Sequence, residues 1–287
     1  MSNEFQSFDA LVPRAMAEMA EQIGIKKAHS DFLTLFVLSI LAGAFISLGA
    51  IFATTVSAGA NAVLPFGIVR LLMGASFTLG LVLVVVGGAE LFTGNMLISL
   101  AFASGKVSLL ALLRNWGIVY LGNFVSSVAT ALVVFWSKQY TFGGGVIGSN
   151  ILAIGEAKTN LGFIEAIMLG ILCNTMVCLA VWLTFSAHST TDKILAIFLP
   201  IAGFVAAGFE HSVANMYFIS IALFVKYGGD PAFFQAIQKT PADFPHLTWG
   251  NFFLGNLLPV TIGNIFGGSV MVALVYWFVY LRKIKRS

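Results

Sequence analysis

Two short polar motifs hold the side chains of this chain that are best suited to chemistry. The first motif ends at Asn95 and reads Gly-Gly-Ala-Glu-Leu-Phe-Thr-Gly-Asn, and the second ends at Asn215 and reads Gly-Phe-Glu-His-Ser-Val-Ala-Asn. Both interrupt long apolar stretches, where ionisable side chains are energetically expensive and usually serve a function. Carboxylate, imidazole and hydroxyl groups at such depth are able to bind a small solute or to move a proton.

His211, in the second motif, is the only one of four histidines that lies within an apolar stretch. Its imidazole can donate hydrogen bonds and can take or give a proton near neutral pH. Thr93, in the first motif, offers a hydroxyl to the same solute; alternatively, it caps the helix that follows, which is worth about 1 kcal/mol. We expect both side chains to face a path through the protein.

The two glutamates, Glu90 and Glu210, occupy equivalent places in the motifs and are predicted to be structural. A break in a helix leaves backbone N–H groups unpaired, and a carboxylate can accept their hydrogen bonds. Bare carboxylates lining a path would repel an anion. The asparagines of the same regions are predicted to link helices, and they are Asn95, Asn123, Asn215 and Asn264.

The composition requires that most of the exterior face lipid. Only 9% of the residues are charged and 59% are hydrophobic, with a mean hydropathy of +0.94, whereas a soluble domain carries about 25% charged residues. The net charge of +3 is too small and scattered to indicate nucleic-acid binding. The sequence contains no nucleotide-binding loop, nucleophile elbow or metal-spaced His/Cys cluster, so we expect no enzyme activity, metal or cofactor.

Six apolar stretches are long enough to cross a bilayer, which takes about 20 helical residues. They cover residues 33–56, 66–103, 112–136, 161–186, 194–225 and 249–281. The second and fifth are too long for one simple span, and each contains one of the polar motifs. Irregular backbone at membrane depth is tolerated only where protein or a cavity surrounds it. We therefore predict an all-α membrane protein with six spans, of which the second and fifth are broken.

The two halves of the chain repeat each other in opposite orientation. The spans after the breaks carry a matching pair of asparagines, Asn115 and Asn123 in the first half and Asn256 and Asn264 in the second. Three spans per half, an odd number, make this an inverted 3+3 repeat, and the broken spans should meet near the midplane. The positive N-terminal ends of the half-helices would then form a site for a small anion.

Basic residues predict the orientation and the outer segments of the chain. Ten Lys and Arg fall on the side of the termini and four on the other side, so both termini are expected in the cytoplasm. Residues 1–32 should form a cytoplasmic amphipathic segment at the membrane surface, with apolar positions at Phe8, Leu11, Val12, Ala15, Met16 and Met19. Residues 33–281 form the membrane domain, and residues 282–287 form a basic tail.

Three segments resemble the formate/nitrite transporter family: residues 88–93, 208–216 and 256–264, within a similarity that runs over about residues 8–282. The resemblance implies an aquaporin-like protomer in a homopentamer, with one path through each protomer. It implies passage of formate or a similar small anion across the bacterial inner membrane. It also suggests pyruvate formate-lyase as a partner at the cytoplasmic face.

The resemblance also assigns side chains to the path. Those on the substrate route would be His211, Thr93, Asn174 and Lys158. Those forming two apolar constrictions would be Phe77 with Phe204, and Leu81, Leu91, Phe92 and Val177. An unpaired ion in an apolar ring costs several kcal/mol. Two mechanisms therefore stay open: His211 lends a proton so that the neutral acid crosses, or it only donates a hydrogen bond while the ring wets transiently.

Other functions fit the sequence less well. A water or glycerol channel of this shape should begin its half-helices with Asn-Pro-Ala, which neither motif contains. An ammonium or other cation carrier would use carboxylates, and Glu90 and Glu210 are the residues that would test it. A membrane-embedded enzyme would need a nucleophile with a base, or a metal. Within the family, nitrite and hydrosulfide channels are the open alternatives.

Overall fold

The computed structural model describes residues 10–282, and these form helices joined by short connections, with no strand among them. Six helices in this part of the chain are long and apolar enough to cross a membrane, as predicted. They are α2 (Phe32–Ser57), α3 (Phe66–Gly87), α5 (Leu109–Trp136), α7 (Phe163–Thr184), α8 (Thr190–Ala207) and α11 (Asn251–Leu281). The predicted all-α fold is confirmed.

The second and fifth spans are broken at the polar motifs. Helix α3 is followed by Gly88 at φ +75°, and α8 is followed by Gly208 at φ +83°. A left-handed residue of this kind ends a helix, and glycine adopts it without strain. The chain resumes in a 3-10 turn (Gly94–Leu97) and in two helices, α4 (Ile98–Ala103) and α9 (Ser212–Gly228).

Close helix contact explains the Gly-Asn pair that the two halves share. A Cβ atom on Gly122 of α5 would lie 1.8 Å from Ser39 Oγ of α2, and one on Gly263 of α11 would lie 2.2 Å from Ile167 O of α7. Only glycine therefore allows these helices to approach so closely. Small residues at the contact are the usual means by which membrane helices pack. The neighbouring asparagine is thereby brought within reach of the opposite backbone.

Three shorter helices complete the part of the chain that the structure describes: α1 (Pro13–Ala28), α6 (Val146–Thr159) and α10 (Pro231–Ala236). Helix α1 forms where the sequence predicts a helix, but it packs on α4 of the protein itself.

The predicted apolar positions of the N-terminal segment do not share one environment: Met16 is buried, while Val12, which precedes α1, and Met19 are 64% and 40% exposed. The buried face of α1 also includes Ala17, Ala20 and Gly24. Small side chains allow the closest packing, and a search for large apolar residues overlooks them. Phe8 of the predicted pattern and residues 283–287 of the basic tail lie outside the described residues.

Candidate functional site

A hydrogen bond joins the two helix breaks at the centre of the protein. Thr93 Oγ1 lies 3.1 Å from His211 Nε2, and both side chains are buried. The prediction that the breaks meet is therefore correct. Thr93 does not cap the 3-10 turn that follows it, since no side-chain capping bond is present there.

The hydrogen bonds of His211 define the tautomer of the neutral ring. Its Nδ1 accepts the backbone N–H of Ala214 at 3.0 Å and thereby caps α9. A nitrogen that accepts cannot carry a proton, so the proton of the neutral imidazole is on Nε2. Nε2–H then donates to Thr93 Oγ1, and the threonine hydroxyl keeps its own proton for a further acceptor.

In the first half of the chain, a lysine and two asparagines surround Glu90. Its Oε2 accepts from Lys27 Nζ at 3.1 Å and from Asn95 Nδ2 at 2.8 Å. Asn95 Nδ2 also donates to Asn115 Oδ1 at 2.9 Å, and Asn115 Nδ2 donates to the Lys27 carbonyl at 3.0 Å. The network connects α1 to the break after α3.

The second half repeats this network around Glu210. Lys158 Nζ donates to Oε1 at 2.7 Å, while Asn215 Nδ2 and Asn256 Nδ2 donate to Oε2 at 2.6 and 3.2 Å. Asn215 also donates to Asn256 Oδ1 at 2.7 Å, and Asn256 donates to the Lys158 carbonyl at 2.8 Å. Helix α6 therefore occupies in the second half the place that α1 occupies in the first.

The predicted partners of the two glutamates were wrong. The carboxylates take side-chain amides and lysines in the described part of the chain, not the backbone donors of their own breaks. The backbone N–H of Glu90 already donates to Leu38 O at 3.1 Å, and that of Glu210 donates to Leu169 O at 3.3 Å. Sequence analysis also missed Lys27 as a partner. The two lysines precede their glutamates by 63 and 52 residues, so a fixed spacing does not reveal the pair.

The shared asparagines hold the backbone of the breaks. Asn123 Nδ2 donates to Ser39 O at 2.7 Å and to Glu90 O at 3.0 Å, and its Oδ1 accepts the N–H of Phe92 at 2.9 Å.

Asn264 does the same in the second half. It donates to Gly170 O at 2.8 Å and to Glu210 O at 3.0 Å, and it accepts the N–H of Ser212 at 2.9 Å. Each break thus has a fixed shape although it is not helical.

Two vestibules approach the central pair from opposite sides. The α1-side vestibule has a volume of about 390 Å³ and is lined by Leu81, Leu91 and the Lys27–Glu90 pair, among others. The α6-side vestibule has a volume of about 250 Å³, and its lining includes Phe77, Phe204, His211 and the Lys158–Glu210 pair. His211 lines the α6-side vestibule, and Leu91 and Gly94, which flank Thr93, line the α1-side vestibule, so the Thr93–His211 bond lies between them.

Only some of the residues assigned to constrictions line a vestibule: Phe77 and Phe204 do, whereas Phe92 and Val177 do not. Phe77 and Phe204 meet edge to face with ring centroids 5.8 Å apart, and the Phe204 ring stacks on His211 at 5.9 Å. Phe92 and Val177 are buried but line neither vestibule. The Phe92 ring instead packs against Tyr120, 4.8 Å away between centroids.

Asn174 lies behind the central pair. Its Nδ2 donates to the carbonyls of Thr93, at 3.2 Å, and Asn264, at 2.7 Å, and it lines neither vestibule. Its Oδ1 is buried and has no hydrogen-bond partner among the described residues. No three His, Cys, Asp or Glu side chains within residues 10–282 are grouped as metal ligands.

The sequence pattern of the formate/nitrite transporter family matches residues 14–278. The chain belongs to this family. It is 46% identical over 276 residues to the formate channel FocA of Escherichia coli K12, covering 96% of each protein. It is 40% identical to FocA of Haemophilus influenzae, covering 94% of this chain and 95% of the relative.

Among solved structures, the chain is similar to a pentameric formate channel with formate bound. The TM-score is 0.83 at 43% identity, over 88% of this chain and 98% of the other. Membership of the family makes this a membrane transporter, as the six apolar helices already indicate.

Proposed function

We propose that this protein is a formate channel of the bacterial inner membrane. It acts as a homopentamer, has one path through each protomer, and catalyses no reaction. The observation that carries the proposal is the neutral His211–Thr93 pair between two vestibules. The relatives named formate channels and the pentamer with formate bound support both the solute and the assembly.

The central pair suits a small carboxylate because it offers donors and no bare charge. Nε2–H of His211 and the Thr93 hydroxyl can each donate to a formate oxygen that replaces the bond between them. Proton uptake at Nδ1 would break the bond that caps α9. We therefore propose that His211 acts by hydrogen-bond donation, with the remaining barrier set by the apolar ring.

Flux measurements on liposomes that contain the purified protein test the proposed function. Formate, nitrite and hydrosulfide are supplied separately, and each rate is compared with that of protein-free liposomes. We expect formate to enter fastest. Faster entry of nitrite or hydrosulfide than of formate would contradict the assignment.

We propose that the α1-side vestibule opens to the cytoplasm, with both termini on that side. The ten-to-four distribution of Lys and Arg supports this orientation. Labelling of a single cysteine introduced at exposed Glu18 tests it, because an impermeant reagent should reach that position only after the membrane is opened.

Replacing Phe77 with alanine should let larger solutes leak. The ring is 1% exposed and contacts Phe204 and Phe218, so its loss widens the α6-side end of the path. We also expect a loss of about 3 kcal/mol in stability, as for other buried phenylalanines. Phe252→Ala is the matched control, since Phe252 is also fully buried but lines neither vestibule. Equal selectivity in the two variants would make Phe77 an ordinary packing residue.

We propose that the N-terminal segment gates the cytoplasmic mouth. Glu21 of α1 pairs with Lys106, which follows α4, and the glutamate is 6% exposed. Removal of residues 1–30 should change formate flux or its pH response but keep the pentamer. That deletion also removes Lys27, so Glu21→Gln is the sharper test.

The control is Glu18→Gln, which breaks an exposed pair with Arg14. Unchanged transport across pH in both the shortened chain and Glu21→Gln would refute gating by this segment. The exposed side of the same segment is the proposed contact for pyruvate formate-lyase. Loss of co-purification on removal of residues 1–30 tests that contact.

A further inference from the structure

We propose that Arg70 draws the anion into the α6-side vestibule and sets the charge preference of that entrance. The proposal rests on the proposed function as an anion channel. It concerns a residue of α3 that the sequence places within a span and that the central site does not use.

Arg70 carries the uncompensated charge of the α6-side vestibule. The charged side chains of its lining are Arg70, Lys158 and Glu210. Lys158 and Glu210 pair at 2.7 Å, with side chains 16% and 6% exposed, and so neutralise each other. Arg70 forms no ion pair with any residue that the structure describes. A single net positive charge matches a monovalent anion.

The guanidinium is held by the broken end of α8. Arg70 Nε donates to Ala206 O at 3.0 Å, and Nη2 donates to Val205 O at 2.5 Å. These carbonyls lie at the C-terminal end of a helix dipole, which is negative and would repel an anion. Arg70 therefore offsets the partial negative charge at the end of α8 and places a positive charge, which attracts an anion, at the same point.

Donors remain on the guanidinium after these two bonds. An arginine has five N–H groups in a fixed fork, which fits a carboxylate. Among the described residues, the guanidinium also contacts Met73, whose Sδ is a weak acceptor 4.0 Å from Nη1. Met73 lies one helical turn further along α3 and lines the same vestibule. The free edge of the fork is thus available to an entering anion.

The α1-side vestibule lacks this arrangement. Lys27 and Glu90 pair there, and the further cation in its lining is Lys193, whose side-chain ammonium has no hydrogen bond or ion pair with the described residues. At the spacing that relates Glu90 to Glu210, the counterpart of Arg70 is Thr190. The α6 side therefore has a fixed cation and the α1 side an unanchored one.

The experiment must separate the charge of Arg70 from its capping of α8. Arg70→Gln keeps a donor for the carbonyls and removes the charge, and Arg70→Lys keeps the charge. Met73→Glu leaves Arg70 in place but pairs with it across one turn, and Met73→Gln is its neutral control. Lys138→Gln removes a cation outside both vestibules.

Initial formate flux into liposomes is measured against formate concentration for each variant. At low salt, Arg70→Gln and Met73→Glu should raise the half-saturating concentration by roughly three- to tenfold. Met73→Gln and Lys138→Gln should stay near the wild type, and Arg70→Lys should fall between the wild type and Arg70→Gln, because lysine keeps the charge but lacks the fork. The difference should shrink at about 1 M salt, where the Debye length is about 3 Å.

Two results would overturn the assignment. One is an equal half-saturating formate concentration in Met73→Glu and Met73→Gln. This result would refute the role of the Arg70 charge even if Arg70→Gln does not assemble. The other is impairment of Arg70→Lys as severe as that of Arg70→Gln, which would leave capping as the only role. The flux of the wild-type protein is measured first. If it passes nitrite but not formate, formate is not the substrate, and the variants are then compared with the wild type by their nitrite flux. If the wild-type protein passes neither formate nor nitrite, both the proposed channel function and the proposed role of Arg70 are refuted.

Discussion

Replacing His211 with asparagine should leave a folded protein that conducts anions more readily and has lost much of its selectivity. Asparagine is a good helix cap, so its Oδ1 can accept the Ala214 N–H that Nδ1 accepts now. Its side chain is too short to keep the bond with Thr93, which at present separates the two vestibules. The resulting gap can admit water, and a hydrated ion crosses more easily than a bare one.

Current and net formate uptake should be measured on the same liposomes at several pH values. We expect larger currents than in the wild type and an unchanged dependence of uptake on pH, because a histidine that only donates a hydrogen bond contributes no proton to transport. Thr93→Val is a useful companion, because it removes the hydroxyl of the pair but keeps the imidazole. Wild-type current and selectivity in His211→Asn would remove His211 from the mechanism, and a loss of pH dependence would contradict hydrogen-bond donation as its role.

Replacing Glu210 with alanine should severely destabilise the protein. The change leaves the Lys158 ammonium buried without its partner and removes the acceptor of Asn215 and Asn256. Breaking a buried ion pair from one side typically costs about 3–5 kcal/mol. The break after α8 should lose its shape, and His211, which lies in that break, should lose its position.

Thermal unfolding of the detergent-solubilised oligomer, followed by size-exclusion chromatography, measures this effect. Glu210→Gln should be milder, because an amide oxygen still accepts from the asparagines. Glu90→Ala provides the comparison from the first half. It should cost less, because Lys27 is 29% exposed and can be solvated, against 16% for Lys158. A stable, fully assembled Glu210→Ala would show that the network is dispensable.

The breaks were predictable because their sequence conflicts with membrane burial. A glutamate in an apolar stretch, with glycine two residues before it, cannot continue a simple span. Glu90 and Glu210 indicated the two breaks in this way, and the repeated asparagines indicated that the two halves are related. The contact of Thr93 with His211 then followed from the inverted repeat.

The partners of the glutamates were not predictable from the same signals. Lys27 reaches Glu90 from a helix outside the membrane spans, and no periodic pattern relates the two residues. The orientation of Phe92 depends on which neighbour offers an aromatic face, and Tyr120 does so from α5. Such pairings depend on tertiary packing, which hydrophobic periodicity does not encode.

Each polar network closes within its own half of the chain, and this bears on biogenesis. The bonds around Glu90 and Asn123 involve only residues 27–123, and those around Glu210 and Asn264 involve only residues 158–264. Once the first half of the chain has been synthesised, every residue of the network around Glu90 and Asn123 is therefore already present. The nascent chain need not hold an unpaired glutamate in lipid while the remainder is translated.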